Sequence, residues 1–301
     1  MKSPAKAVPI LVIAIVAGAA AAEWPKGYVA YQNTESPDGQ YGIIVPTVDE
    51  SGEPTEGEQV NYLANLKTHQ VLDKIAGSDF YEHQNHAGLS TIWADDSSWC
   101  VVEYDGRFAF FSISILELKG SRVIQTDIGQ EIDGQLTNVI NKQTHQTEKH
   151  GMGGSDTTFR LGDDRKLRVR ATATTDPKQR TENGGYYALF QGTFDVRTKK
   201  WLATDARPLK RDQFDASSTA FTDLDTQLEH TSFETQDKTQ WLDERMNEVY
   251  NVVRVVLPPN RFAKIKQEQM EWLKKRDAVG SVEEKHKLME ARIRALQDLL
   301  W

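Results

Sequence analysis

The spacing of the apolar residues changes once along the chain, and this change separates a β-rich part from a helical part. Up to about residue 118, short apolar runs are separated by turn signals such as Ser36-Pro37-Asp38-Gly39, a pattern typical of antiparallel strands. From Leu242 to Val256 the apolar residues recur every three or four positions, which predicts one face of an amphipathic helix. The sequence therefore predicts an α+β protein, in which a β-rich meander domain precedes a small three-helix bundle.

The β-rich part contains a repeated theme. In residues 36–45 and again in 93–102, a small polar turn that carries an aspartate precedes an apolar strand. These stretches resemble the blade repeats of SPDG-type β-propellers, and a third unit is predicted at 167–205. Because closed propellers need about four blades or more, we expect a propeller-like meander rather than a closed ring. The predicted strands before the third unit are 28–31, 41–45, 62–66, 71–75, 89–93, 99–104 and 108–118.

Three consecutive helices are predicted near the C-terminus. Pro258-Pro259 ends the first helix and begins the second, and Ser281 with Glu284 has the form of a capping box for the third. The polar segment 210–240 is predicted to be a linker with Phe214, Phe221 and Phe233 as anchors, and 131–149 is predicted to be a helix. The predicted inner face of the second helix is Phe262, Ile265, Gln269, Trp272 and Arg276, and that of the third is Leu288, Ala291, Ala295, Leu296 and Leu299.

The first 22 residues have the form of a secretory signal peptide. Lys2 and Lys6 precede an apolar run, and Ala20-Ala21-Ala22 supplies the small residues that a signal peptidase requires before Glu23. The alternative is an uncleaved anchor, but the run is short for a span of about 20 residues. We therefore predict a periplasmic or secreted protein with no transmembrane segment after signal removal. The predicted organisation is 1–22 signal peptide, 23–232 β-rich domain ending in a linker, and 233–301 helical domain.

Charge and residue types exclude several classes of function. The chain has 44 acidic against 36 basic residues and a formal charge of −8, which argues against nucleic-acid binding. Its single cysteine, Cys100, excludes an intrachain disulfide and is predicted to be a buried core thiol. His83 and His86 are spaced for a shared metal only if helical, and a polar loop is the alternative. No catalytic residue, metal site or cofactor is predicted.

The helical part carries the residues of a known family. Leu242-Asp243, Asn247, Tyr250, Leu257-Pro258 and the run Gln269-x-x-Trp272-x-x-x-Arg276-Asp277 resemble the lysozyme inhibitor LprI-like domain, and a later Arg292 also fits. The resemblance covers about residues 236–301. Members of the family usually carry a disulfide near the last helix, which this chain lacks. The resemblance implies an exported helical binding module, and its signature residues here are Asp243, Tyr250, Gln269, Trp272, Arg276 and Asp277.

The spacing of the signature residues predicts how they meet. Gln269, Trp272 and Arg276 fall on one helix face, so Trp272 is expected to pack against the first helix. Arg276 is then placed to stack on Trp272 or to pair with Asp243 or Asp277. Two roles are open for these residues: they hold the bundle together, or they face a partner protein.

These observations predict an exported, non-catalytic binding protein of the bacterial envelope. The most specific version of this prediction is an inhibitor of a lysozyme-type cell-wall hydrolase, and the hydrolase would then be the protein partner. Two alternatives remain open: an exported hydrolase that uses loops of the β-rich domain, and a structural envelope protein.

Overall fold

The computed structural model describes residues 24–55, 59–107, 109–120, 122–144, 154–175, 185–221, 224–233, 237–257 and 259–301. The predicted signal peptide lies outside these residues. The strands are β1 Tyr28–Ala30, β2 Tyr41–Pro46, β3 Tyr62–Asn65, β4 Gln70–Lys74, β5 Ala87–Trp93, β6 Trp99–Gly106, β7 Phe110–Lys119, β8 Arg122–Asp127, β9 Gly154–Leu161, β10 Lys166–Thr174, β11 Tyr187–Asp195 and β12 Lys200–Leu209. The helices are α1 Gly129–Thr144, α2 Arg211–Phe221, α3 Leu224–His230, α4 Lys238–Val256, α5 Pro259–Asp277 and α6 Val282–Asp298.

The described strands form three antiparallel sheets of four strands each. Sheet 1 contains β1–β4, sheet 2 contains β5–β8 and sheet 3 contains β9–β12, with neighbouring strands always consecutive in the chain. The α+β class and the meander order are thus confirmed. The third unit, predicted at 167–205, is extended by β9, which the sequence analysis missed. The likeness to propeller repeats stays a prediction.

The same tight turn joins the first two strands of every sheet. In each turn an aspartate side chain accepts a hydrogen bond from the amide two residues later, at 2.9 Å for Asp38, 3.0 Å for Asp96 and 3.3 Å for Asp164. Such a side-chain bond mimics a backbone turn and fixes the hairpin. The turns also touch one another: the Asp38 amide donates to Ser97 Oγ at 3.2 Å, and Arg165 Nη2 donates to Ser98 Oγ at 2.6 Å. The repeated turn therefore aligns the sheets at one end.

Three clusters of buried apolar side chains follow the sheets in chain order. The first is formed by sheets 1 and 2, and the second by sheets 2 and 3 together with α1. Helix α1 confirms the helix predicted at 131–149 as far as residue 144, and it buries Ile132, Leu136, Val139 and Ile140. The third cluster joins sheet 3 to the C-terminal helices. The helical part therefore continues the apolar core of the sheets.

The predicted linker at 210–240 is wrong, because this segment forms α2 and α3. Phe214, in the first turn of α2, packs on Tyr187 of sheet 3 with ring centres 4.8 Å apart and the rings tilted by 34°, and Phe233 meets Trp241 at 5.6 Å. Phe221 is the last residue of α2, and its side chain lies outside the described part. The Ser, Thr and Asp content of this segment favours a loop, but tertiary packing of the aromatic anchors stabilises helices instead. Among the described residues, no helix is long and apolar enough to cross a membrane.

The three predicted helices are present as α4, α5 and α6, but the inner face of α6 differs from the prediction. Ala291 and Ala295, expected inside, are exposed, and Leu288 and Leu299 are only half-buried. The buried apolar residues are instead Met289, Ile293, Leu296 and Leu300. The buried face of α6 is rotated relative to the prediction because α6 contacts both α4 and α3. The apolar spacing of this face is hard to recognise in the sequence because arginines stand on both sides of Ile293.

Candidate functional site

The ends of the helices in the C-terminal bundle are fixed by side-chain caps. Asp237 caps α4 by accepting from the amides of Thr239 at 2.7 Å and Gln240 at 3.3 Å. These two bonds hold the pKa of the Asp237 carboxyl below its usual range. Ser281 caps α6 by accepting from the Glu284 amide at 3.4 Å, as its sequence context predicts. The caps set the start of each helix and hence the register in which the signature residues meet.

Gln269 of α5 connects all three helices of the bundle. Its side chain is 7% exposed. The Nε2 amide donates to Met246 Sδ of α4 at 3.5 Å, and Oε1 accepts from Arg292 Nε of α6 at 2.8 Å. An amide suits this position since it offers a donor and an acceptor at once. Burial lowers the pKa of the Arg292 guanidinium, so the hydrogen bond from this cation is made in a partly desolvated place.

Arg276 is the centre of a second cluster, at the seam between α4 and α5. Its Nη1 donates to Asp243 Oδ1 of α4 at 2.6 Å, and its Nε donates to Asp277 Oδ1 at 2.8 Å. The guanidinium carbon lies 5.6 Å from the centre of the Trp272 ring. Trp272 is half-buried and packs against the apolar core of the helices. All the pairings expected for Arg276 are therefore made together.

Tyr250 lies on α4 opposite the start of α5. Its ring is 5.4 Å from that of Phe262, so this pair closes the seam beside the Pro259 turn. Burial raises the pKa of the Tyr250 hydroxyl, although Arg254 and Arg292 nearby oppose the shift. The six signature residues thus form contacts along one seam of the bundle.

The other residues considered from the sequence lie elsewhere. His83 and His86 both adopt left-handed backbone angles, with φ of 66° and 60°, in the loop before β5. Cys100 is fully buried in β6, and burial raises the pKa of its thiol far above the usual range. In the part of the chain that the structure describes, no group of three His, Cys, Asp or Glu side chains is arranged to hold a metal ion.

The bundle packs against sheet 3. The apolar part of this contact consists of Tyr187, Leu189 and Leu209, which pack into the core of the helices. These strand residues carry no distinguishing signal in the sequence, because a strand buried on both faces looks the same whatever covers it.

Arginines of sheet 3 add a polar edge to this contact. Arg160 Nη1 pairs with Asp298 Oδ1 at 2.6 Å, and the guanidinium carbon of Arg170 lies 4.8 Å from the centre of the Trp301 ring. Arg170 is 1% exposed, and burial together with nearby Arg207 lowers its pKa to about 9. The end of the helical part is therefore held on the sheet by both apolar and charged groups.

A comparison with protein families found a match for the helical region that contains these residues. Residues 208–297 match the family model of lysozyme inhibitor LprI. The resemblance predicted for the C-terminal part is thereby confirmed. The match begins in β12 and includes α2 and α3, so it extends upstream of the predicted start near residue 236. Among curated proteins, no sequence matches the chain.

We refer to the matched helical part as the LprI module. All six signature residues lie within its matched range. The chain has a single cysteine, which lies in β6, so the module contains no intrachain disulfide. The described contacts that hold the module are the apolar packing of α4 and α6, the Gln269 and Arg276 clusters and the contact with sheet 3.

Proposed function

We propose that this protein is an exported, non-catalytic binding protein of the bacterial envelope, and that its LprI module acts on a lysozyme-type cell-wall hydrolase. The observation that carries the proposal is the match of residues 208–297 to a family described as lysozyme inhibitor. The start of this match at residue 208 supports a module boundary ahead of α2 rather than at residue 233.

The geometry of the signature residues supports different roles for the inner and the outward side chains of the module. Gln269 is 7% exposed, the Arg276 side chain is 15% exposed, and both bond to neighbouring helices, so we assign the signature mainly to the scaffold of the module. The partner would then meet outward side chains that this scaffold holds in place. Such a surface can bind a protein with little rearrangement, because a rigid binding surface loses little conformational entropy on association.

Inhibition is tested with purified mature protein and a lysozyme acting on a bacterial cell-wall suspension. We expect the wild-type protein to slow clearing of the suspension and to bind the lysozyme directly. Val249→Asp should abolish both effects, because it places a carboxylate at a fully buried position of α4. Leu202→Asp is the matched control, since Leu202 is 53% exposed on sheet 3, outside the module, and should tolerate the same change.

Two outcomes would contradict this proposal. A folded wild-type protein that neither binds nor inhibits any lysozyme would refute the inhibitor function. Inhibition that survives Val249→Asp, with the module shown to be unfolded by circular dichroism, would refute the assignment of the activity to the module.

Export is proposed from the N-terminal sequence, and the predicted signal peptide lies outside the described residues. Lys2, Lys6, the apolar run and Ala20-Ala21-Ala22 support it. We expect N-terminal sequencing of protein from the producing cells to begin near Glu23, in the periplasm or the medium. Recovery of a cytoplasmic protein with intact Met1 would overturn the proposal.

A further inference from the structure

Phe111 is the most exposed of the large apolar side chains in the described part of the protein, at 64%. It lies on β7, yet its position is fixed. Its ring centre is 4.9 Å from that of Tyr104 on β6. It also lies over Gly106, where a Cβ atom would come within 2.5 Å of the ring. Gly106 therefore leaves the space that the exposed ring occupies.

The ring is also connected to the interior by a series of aromatic contacts. Tyr104 lies 6.4 Å from Phe80, and Phe80 lies 5.0 Å from Tyr31, measured between ring centres. Phe80 and Tyr104 are buried in the core of sheets 1 and 2. Phe111 is thus a pre-positioned aromatic side chain on a rigid support, which is the usual form of an anchor in a protein interface.

Two open depressions flank Phe111 at the seam between sheets 1 and 2. Their volumes are about 650 Å³ and 540 Å³, and both are lined by Phe111 and Gly77. The first is bordered by the beginning of α1, and the second by residues near the end of β4. We call Phe111 with these two depressions the Phe111 ridge.

The charge around the Phe111 ridge is mainly negative. Asp127 and Asp133 line the first depression, while Asp79 and Lys74 line the second. The carboxylate of Asp127 accepts from the first amides of α1 at 2.8 and 3.4 Å, so its position is fixed. Burial, and to a lesser extent the nearby Asp79 carboxylate, raises the pKa of the Tyr104 hydroxyl. Three carboxylates thus surround the aromatic ring against one ammonium group.

We propose that the Phe111 ridge is a docking surface for a cationic protein, whose lysine or arginine side chains enter the two depressions while an apolar contact covers the ring. Carboxylates on both sides favour such a partner, and the face of an aromatic ring attracts a cation that stacks on it. This inference rests on the proposed function, with a lysozyme of basic isoelectric point as the partner. It assigns part of the contact to the β-rich region, outside the LprI module.

The aromatic part of the surface is tested by Phe111→Ala in the full-length mature protein. The affinity for an immobilised basic lysozyme should fall about ten-fold or more, as is typical when an aromatic anchor is truncated. Leu202→Ala is the matched control, because Leu202 is also a large exposed side chain, at 53%, and lies on sheet 3. It should bind the lysozyme as the wild type does.

The charged part is tested by the double variant Asp79→Asn and Asp127→Asn. At position 127 asparagine keeps the oxygen that accepts from the first amides of α1, so the fold should be retained. We expect an association rate lower by about three- to ten-fold and a weaker dependence on salt. The control is the double variant Asp163→Asn and Asp195→Asn, which also removes two charges, from the turns that flank β10 and β11 in sheet 3. Acetylation of the lysines of the lysozyme should weaken binding to the wild type but have little further effect on the Asp79 and Asp127 double variant.

The outcomes separate this inference from the proposed function. If the wild type binds lysozyme while Phe111→Ala and the Asp79 and Asp127 double variant bind as tightly and as fast as their controls, the docking surface is refuted and the inhibitor function stands. If the wild type fails to bind any lysozyme, the proposed function is refuted and this inference falls with it.

Discussion

The contact between Arg276 and Asp243 gives the sharpest test of what the signature residues do. We consider a double-mutant cycle of Arg276→Met and Asp243→Asn. Methionine keeps an apolar stem that can lie against Trp272 but removes all the donors of the guanidinium. Asparagine keeps the shape of the aspartate and removes its charge. The cycle therefore isolates the energy that the ion pair adds to the module.

The structure sets the expected size of this energy. The two atoms are 2.6 Å apart, and the side chains are 15% and 40% exposed for Arg276 and Asp243, respectively. Hydrogen bonds to charged groups contribute about 1.5–3 kcal/mol, whereas fully exposed ion pairs contribute about 0.2–1 kcal/mol. Since one partner is mostly buried and the other is open to water, we expect a coupling energy of about 1–2 kcal/mol. Asp277, the exposed second partner of Arg276, should reduce this coupling energy, because it still compensates part of the Arg276 charge in Asp243→Asn.

The assay is urea-induced unfolding of the full-length mature protein, followed by circular dichroism of the helices, with lysozyme binding measured in parallel. We expect both single variants to unfold at lower urea and to keep their affinity for lysozyme under conditions where they are folded. A coupling energy below about 0.5 kcal/mol lies within ordinary additivity and would refute the stabilising role. A variant of unchanged stability that loses binding would show instead that the cluster faces the partner.

Three further predictions follow from the same structure. A fragment of residues 208–301 should melt well below the full-length protein in thermal circular dichroism, because it lacks Tyr187 and Leu189, which cover its core; an equally stable fragment would contradict this. A thiol reductant should leave the melting temperature unchanged, since Cys100 is the only cysteine; a shift would reveal an intermolecular disulfide. Burial and Asp79 raise the pKa of Tyr104 to about 12, so the unfolded chain loses this proton first and stability should fall between about pH 10 and pH 12. Tyr104→Phe should show a smaller fall over this range, and an equal fall would contradict the assignment.

Part of the fold could be predicted from the sequence because it depends on neighbouring residues. The stripe from Leu242 to Val256 is buried as predicted, since helix periodicity alone determines which residues share a face. Ser281 caps α6, and Asp38 fixes its hairpin, through bonds that span two or three residues. The family resemblance of the C-terminal part is of the same kind, because its motif lies mainly on one helix.

The wrong predictions concern segments whose structure depends on contacts with distant residues. The segment predicted as a linker became α2 and α3 because Tyr187, in a strand of sheet 3, gives Phe214 a surface to pack against. The inner face of α6 was misjudged because it has to satisfy α3 and α4 together. Neither partner is visible in a local pattern, and burial against a partner outweighs helix propensities of less than about 1 kcal/mol per residue.

The sequence by itself thus determined the α+β class, the strands and helices with strong periodicity, and the presence of the LprI signature. Only the tertiary structure decided that Gln269 joins α4, α5 and α6 and that the module packs against sheet 3. It alone decided that Phe111 stays exposed, although its predicted strand continues into the core. The physical reason is that secondary structure follows from contacts within a few residues, whereas burial is decided by which distant surfaces meet.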